Sequence, residues 1–264
     1  MTKTLYRYRK FNNNLLSMFI NRELYFANPE ALNDPYDCQL PIVESVNYAY
    51  EIAKTDSPEP MSNKKRNLLD TLSGCATEME EAIKKAGVFS LSELCESILM
   101  WSHYADEHKG LCIGYNLPEN MSEFDSQALM LGTIDCNYSP ENPIKSYLRV
   151  MGAVDDIPIP DWKDFWDKIL GIGLITKHNS WEYEKEIRIL RKLSGTIKFL
   201  PEHITEIIFG VKTNQSDIKT IVSLLRSPDW SHVKYYKMKK NTLSFDLIKE
   251  RLSESEIQRI LEII

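Results

Sequence analysis

Glu182, Glu184 and Glu186 recur at alternate positions within Trp181-Glu182-Tyr183-Glu184-Lys185-Glu186-Ile187-Arg188. On an extended strand all three project from one face, with Tyr183, Lys185 and Ile187 on the other. Like charges along one face repel and raise each other's pKa. Such a face is either a wet edge strand, where charge deters aggregation, or part of a site. Trp181 precedes the run, and Ile187, Ile189 and Leu190 continue it as an apolar strand. A carboxylate at the entry to a buried strand can accept a hydrogen bond from a sugar hydroxyl and stabilise oxocarbenium-like charge, as in glycosidic cleavage.

Arg7 and Arg9 share one face of a short alternating segment, Leu5 to Arg9, and each guanidinium can fork onto phosphate or ribose oxygens in a way lysine cannot. A surface salt bridge is the plainer role for such residues. Ser90 and Ser92 share a face of their own segment, where hydroxyls can orient a carboxylate or a ligand. Asp34 and Asp37 lie in a turn-rich stretch and fit either the turn itself or a divalent-ion site. His103 and His108 are five apart, on different helical faces, with no third ligand fixed by spacing, so no metal site is expected from them.

The elements that must position these residues follow from periodicity and punctuation. Leu5 to Tyr8 alternates as a half-buried strand, Asn12-Asn13-Asn14 caps a helix through Leu15, Leu16, Phe19 and Ile20, and Glu23 to Ala27 is a second strand. Asn28-Pro29 and Asn33-Asp34-Pro35-Tyr36-Asp37 then hold the chain in an ordered loop. Residues 43–86 are rich in helix formers and charge, broken at Asp56-Ser57-Pro58-Glu59-Pro60, and read as a helical insertion of two helices. Gly87 to Ser92 is a strand, Ile98 to His108 a helix carrying Trp101 and Tyr104, and Gly110 to Tyr115 a buried strand. Leu129 to Tyr138 is strand-like, and Asp161 to His178 is a helix behind an Asp cap. Trp181 to Leu190, Thr196 to Leu200 and Ile204 to Gly210 read as three strands, followed by a helix from Ser216 to Arg226. Val233 to Lys239 and Leu243 to Leu247 are strand-like, before a last helix begun at Ser253. Strands separated variously by helices and tight turns predict an α+β fold with a mixed sheet. One domain spans 1–264, with 211–264 as its C-terminal extension.

Composition excludes several classes. Of 264 residues, 43% are hydrophobic and 27% charged, which is ordinary for a globular chain and unlike a disordered or fibrous one. No apolar run reaches the roughly 18 to 20 residues of a membrane span, and the opening lacks a signal-peptide core, so the default location is the cytoplasm. A formal charge of −6 disfavours a sequence-independent nucleic-acid binder and leaves only local basic clusters, Arg7-Arg9-Lys10 and Lys64-Lys65-Arg66. Five cysteines, scattered and without a C-x-x-C pair, read as reduced thiols. Neither G-x-G-x-x-G nor G-x-x-x-x-G-K-[ST] occurs, so a nucleotide would have to be held without either phosphate loop.

Taken in order, Leu5 to Arg9, Leu24-Tyr25-Phe26-Ala27-Asn28-Pro29, Asn33 to Asp37, Met100-Trp101-Ser102-His103-Tyr104-Ala105 with Lys109-Gly110, Trp181 to Arg188, and Glu206 to Gly210 resemble a bacterial family known as domain of unknown function 2971. The order of elements is also similar to that of ADP-ribosyltransferases with an arginine on the first strand, a Ser-x-Ser strand and a Glu-x-Glu strand. Here these are Arg7 or Arg9, Ser90-Leu91-Ser92 and Glu184-Lys185-Glu186, with Leu91 where that class commonly has Thr. Glu186 to Leu190 and Pro201 to Ile207 are similar to the closing strands of DNA-targeting ADP-ribosyltransferase toxins. The resemblance implies largely antiparallel central sheets of the ADP-ribosyltransferase type, and NAD as substrate. It implies a toxin or anti-phage effector whose acceptor is a nucleic acid or a protein. Glu186 would bond the nicotinamide ribose, Ser90 would orient Glu186, and Glu184 would steer the acceptor. Arg7 or Arg9 would grip NAD, with Ser92, Tyr25 and Tyr104 counted among the residues that hold it.

Two other readings stay open on sequence. A metal-dependent nuclease would use Asp34, Asp37 and the acidic strand and would ignore NAD. A sensor or interaction module would use Tyr25, Tyr36, Trp101 and Tyr104 as a ligand-binding wall, although aromatic residues at such spacing more often pack a core.

Overall fold

The computed structural model describes residues 3–55, 62–118, 128, 133–153 and 162–262. Twelve strands are defined among them: β1 (Leu5–Arg9), β2 (Glu23–Phe26), β3 (Gly87–Ser92), β4 (Leu111–Tyr115), β5 (Ile134–Asp135), β6 (Asn137–Ser139), β7 (Thr176–His178), β8 (Glu186–Arg191), β9 (Gly195–Lys198), β10 (Ile204–Phe209), β11 (Lys234–Lys240) and β12 (Leu247–Arg251). Eight form one sheet in the order β12-β11-β10-β4-β1-β3-β8-β5, antiparallel except for the β10–β11 pair. Two small sheets, β2-β9 and β6-β7, stand beside it. The helices among the described residues are α1 (Asn13–Asn21), α2 (Ile42–Thr55), α3 (Asn63–Lys85), α4 (Ile98–Tyr104), α5 (Pro143–Ala153), α6 (Trp162–Ile175), α7 (Gln215–Leu224) and α8 (Glu254–Glu262). The α+β class and the largely antiparallel sheet therefore stand as expected.

Three apolar clusters follow from strand alternation. On one face of the sheet, Phe89, Ile113, Ile187, Ile189, Ile207 and Phe209 pack with Leu15 and Phe19 of α1 and Ile218 and Ile221 of α7. On the other face the cover is split. Tyr8, Cys112, Ile208 and Met238 meet Trp101 of α4, whereas Val88 and Leu190 meet the helical layer through Val46, Leu72, Met79 and Ile169. Between these two covers lies a gap.

The gap has a backbone cause. β1 pairs with β4 over five residues, but its ladder with β3 is registered only at Tyr6↔Ser92. Further along β3, Val88 exchanges both backbone bonds, each 2.8 Å, with Ala27 just after β2. That edge of β3 is thereby occupied, and β1 and β3 part into a cleft.

Several boundaries differ from those read in the sequence. Asn179–Glu184 forms a 3-10 turn instead of a strand, and Lys185 follows in the left-handed region at φ 42°. Two residues of the acidic run are thus taken out of the strand, which begins at Glu186. The helix from Ile98 ends at Tyr104, after which Asp106, Glu107 and His108 are all left-handed. Helix α6 stops at Ile175, freeing Thr176–His178 as β7. Leu243 and Phe245 sit in an exposed hairpin loop, and the strand expected there starts at Leu247. The break at Asp56–Pro60, the Asp161 cap and residues 129–132 lie outside the described residues.

Candidate active site

The cleft between β1 and β3 opens into a cavity of about 320 Å³. Its lining includes Arg7 and Arg9 from β1, Ser90 and Ser92 from β3, Tyr104 from α4, Glu184 from the 3-10 turn and Glu186 from β8. Seven of the eight site residues taken from the sequence therefore meet in one place, drawn from segments far apart in the chain. Tyr25 lies outside: on β2 it pairs with Thr196 of β9 and is 51% exposed. Glu182 is also outside, exposed and paired with Lys185 at 3.1 Å.

Glu186 is buried and heavily bonded. Its Oε1 accepts from Arg188 Nε at 2.8 Å, its Oε2 accepts from Lys177 Nζ at 2.9 Å, and the Ser90 hydroxyl also bonds it. Burial pushes its pKa up, but Arg188 and Lys177 together outweigh burial and bring it down to about 2. Glu186 is therefore an anion at neutral pH. The backbone around it is fixed by Tyr138, whose hydroxyl accepts from the Glu186 N–H at 2.8 Å.

Glu184 reaches the cavity by another route. Ser92 Oγ donates to the Glu184 carbonyl at 2.6 Å, so this serine anchors the turn. The Glu184 carboxylate accepts from the Tyr104 hydroxyl and from Lys177 Nζ, each at 2.5 Å, and Tyr104 in turn accepts from Asn33 at 3.0 Å. Here burial dominates and raises the pKa, with Lys177 and Tyr104 opposing it. Two neighbouring carboxylates are thus pushed in opposite directions, Glu186 down by its two cations and Glu184 up by burial.

Arg7 stands across the cleft. Its guanidinium carbon lies 4.0 Å from the centre of the Phe89 ring, a stacking cation–π contact. Nη1 is shielded from solvent and has no hydrogen-bond partner among the described residues. Burial, and after it the nearby Arg9 cation, lowers Arg7 to about 10. Arg7 and Arg9 both line the cavity and make that wall of it cationic.

Sequence reasoning missed the root of this arrangement. Arg188 is fully buried and donates to Asp37 Oδ2 at 2.7 Å, to the Leu174 carbonyl at 2.7 Å and to Cys38 Sγ at 3.1 Å, as well as to Glu186. Lys177 is equally buried. The available signal was a lone lysine after the apolar run Ile172-Gly173-Leu174-Ile175. Asp37 Oδ2 serves these two cations, 3.5 Å from Lys177 Nζ and 2.7 Å from Arg188 Nη2. Asp34 Oδ1 accepts from the Tyr36 N–H at 3.0 Å, a turn contact. His103 lies against the Tyr104 and Tyr183 rings, and His108 stacks on Trp101. Among the described residues no group of three or more His, Cys, Asp or Glu is placed to hold a metal ion. No helix among them is long and apolar enough to cross a membrane.

No curated protein and no solved structure matches the chain. One family model does match, over residues 100–189, the stretch that carries α4, Lys177, Glu184 and Glu186: it is the family described as protein of unknown function (DUF2971), and the resemblance read from the sequence is to that family.

Proposed function

We propose that this chain is an NAD-dependent ADP-ribosyltransferase, with the ADP-ribosyltransferase type of sheet, acting at the β1–β3 cleft. The observation that carries the reading is that Arg7 and Arg9 line the same cavity as a glutamate held as an anion by two cations. Such a cavity suits a ligand that is anionic at one end and develops positive charge at the other. NAD has both properties when its glycosidic bond breaks.

In this reading Arg7 and Arg9 hold the pyrophosphate, and Glu186 accepts a hydrogen bond from the nicotinamide ribose. As the bond from C1′ to the pyridinium nitrogen lengthens, its electron pair leaves with nicotinamide and C1′ becomes cationic. The fixed Glu186 anion stabilises that charge without reorganising, because Arg188, Lys177 and Ser90 already orient it. The acceptor nucleophile then bonds to C1′ from the opposite side and loses its proton to Glu184, whose raised pKa suits it to take one. The acceptor is a nucleic acid or a protein, as befits an effector directed against a cell or a phage.

Stability alone does not account for the buried charges. Replacing such a cluster wholesale with well-packed apolar residues is typically neutral, or stabilising by about 1–4 kcal/mol. Purified protein incubated with labelled NAD, with and without nucleic acid and cell extract, tests the reading through nicotinamide release and label transfer. Glu186→Gln is expected to lower both by about 10²-fold or more. Turnover that is indifferent to Glu186→Gln, or no turnover and no NAD-induced rise in melting temperature, overturns it.

A further inference from the structure

Lys177 helps to orient Glu186 in the steps above, and it also reaches Glu184, so that it joins the two carboxylates. It lies on β7, a three-residue strand paired with β6 outside the main sheet, and its side chain is 4% exposed. Nζ is 2.5 Å from Glu184 Oε2, 2.9 Å from Glu186 Oε2 and 3.5 Å from Asp37 Oδ2. An ammonium has three protons and no acceptor. Here it donates to Glu184 of the 3-10 turn and Glu186 of β8, and forms an ion pair with Asp37 of the loop after β2. The Trp181 ring, 5.0 Å from Nζ, covers it further.

The neighbouring contacts divide into two sets. Arg188 holds Glu186 and Asp37, whereas Tyr104 holds Glu184 and Asn33. Lys177 bridges the sets. We propose that Lys177 is a positioning residue that clamps Glu184 and Glu186 as a facing pair, so that its loss lets the two carboxylates part. The distance between them matters because one must address the ribose and the other the incoming nucleophile, and a misplacement of about 1 Å in a reacting group can cost about 10²-fold in rate.

Electrostatics point the same way. Two buried carboxylates this close cannot both stay ionised unless a cation lies between them. The ionisable groups around Lys177 are Asp37, Glu184, Glu186, Arg188, Tyr104, Tyr183 and Cys136. Burial disfavours the ammonium, but Glu186, Glu184 and Asp37 reverse this and raise its pKa, so it remains charged. Removing it leaves Arg188 as the cation bonded to Glu186 and, among the described residues, none bonded to Glu184.

The kinetic consequence rests on the transferase reading and the structural one does not, so the test reads both. Lys177→Met, Glu184→Gln and the pair together are compared with wild type by nicotinamide release and by NMR titration of ¹³C-labelled glutamate carboxyls, Glu186 being assigned with Glu186→Gln. Lys177→Met is expected to lower kcat by about 10²-fold while KM for NAD changes by less than about threefold, and to raise the Glu186 midpoint. If the single variant does not fold, Lys177→Met/Glu184→Gln removes one charge of each sign and keeps the comparison available against Glu184→Gln alone. An unmoved Glu186 midpoint in a folded variant, or kcat within about threefold of wild type, overturns the proposal. If wild type itself releases no nicotinamide, the transferase reading fails alone, and the Glu186 midpoint still decides the role of Lys177.

Discussion

The face of β3 and β8 that looks toward the helical layer is apolar at one end and charged at the other. Val88 pairs with Leu190, and both pack against the aliphatic side chains of α2, α3 and α6. Of the next pairs on the same face, Ser90 with Arg188 and Ser92 with Glu186, the two serines and Glu186 line the cavity, and Arg188 is fully buried. The change takes place where α6 ends: the Leu174 carbonyl, in its last turn, accepts from Arg188. Such late carbonyls lack intrahelical partners, and the end of a helix favours a cation. The helical layer therefore does two jobs. It dries one half of the face, and the C-terminus of α6 seats the cation that organises the other half.

The sharpest way to break this comparison is to treat the two halves alike. Arg188→Met leaves Asp37 and Glu186 buried with less compensation and is expected to cost about 3–5 kcal/mol in urea unfolding. It should also abolish any NAD-induced rise in melting temperature. Leu72→Ala, in the apolar half, is expected to cost about 2–5 kcal/mol through the cavity it leaves. Unlike Arg188→Met, it should keep the ligand-induced rise. Equal loss of ligand response in both variants would mean that the halves are not functionally distinct.

A smaller effect separates the two carboxylates by pH. Burial pushes Glu186 up, but Arg188 and Lys177 bring it down to about 2, against about 4.3 for a free glutamate. Its contribution to stability is therefore full above about pH 4.3 and lost as pH falls toward about 2. Glu184 is raised by burial, so its ionisation costs stability as pH rises beyond about 4.3. The stability difference between wild type and Glu186→Gln should shrink on acidification, by on the order of 3 kcal/mol. The difference between wild type and Glu184→Gln should change with the opposite slope. Parallel slopes in urea midpoints across this range would show that the two groups share one environment.

How much of this was legible in the sequence depended on range. Local signals did well: the Asn12 cap, the alternation of β1 and β3, and the helix-forming stretch before Gly87 gave elements close to those observed. The acidic run misled because period-two spacing was read as a strand. The chain instead turns at Lys185, a left-handed residue whose type does not advertise it, and Glu184 reaches the cavity from a turn. Arg188 and Lys177 were illegible as site residues because their partners Asp37, Glu184 and Glu186 come from three different elements. A buried charge is recognisable only once its counter-charges are placed. The cleft itself depends on the Ala27–Val88 bridge, a pairing between residues 61 positions apart that no local pattern encodes.

The smallest expected effects test where the cavity stops. Tyr104 and Tyr25 looked equivalent in the sequence, but the first lines the cavity and the second stands on a separate two-stranded sheet. Tyr104→Phe keeps the ring and removes the hydroxyl that bonds Glu184 and Asn33. It should cost about 1 kcal/mol and raise the Glu184 midpoint further, because that hydroxyl is one of the groups opposing burial. Tyr25→Thr keeps a strand-forming residue at an exposed position and should stay within about 0.5 kcal/mol of wild type. It should leave both the Glu184 midpoint and any NAD-induced rise in melting temperature unchanged. If Tyr25→Thr weakens the NAD response as much as Tyr104→Phe does, the ligand extends past the β1–β3 cleft onto the β2–β9 sheet. The part of the molecule that binds would then be larger than the part that carries the buried charge.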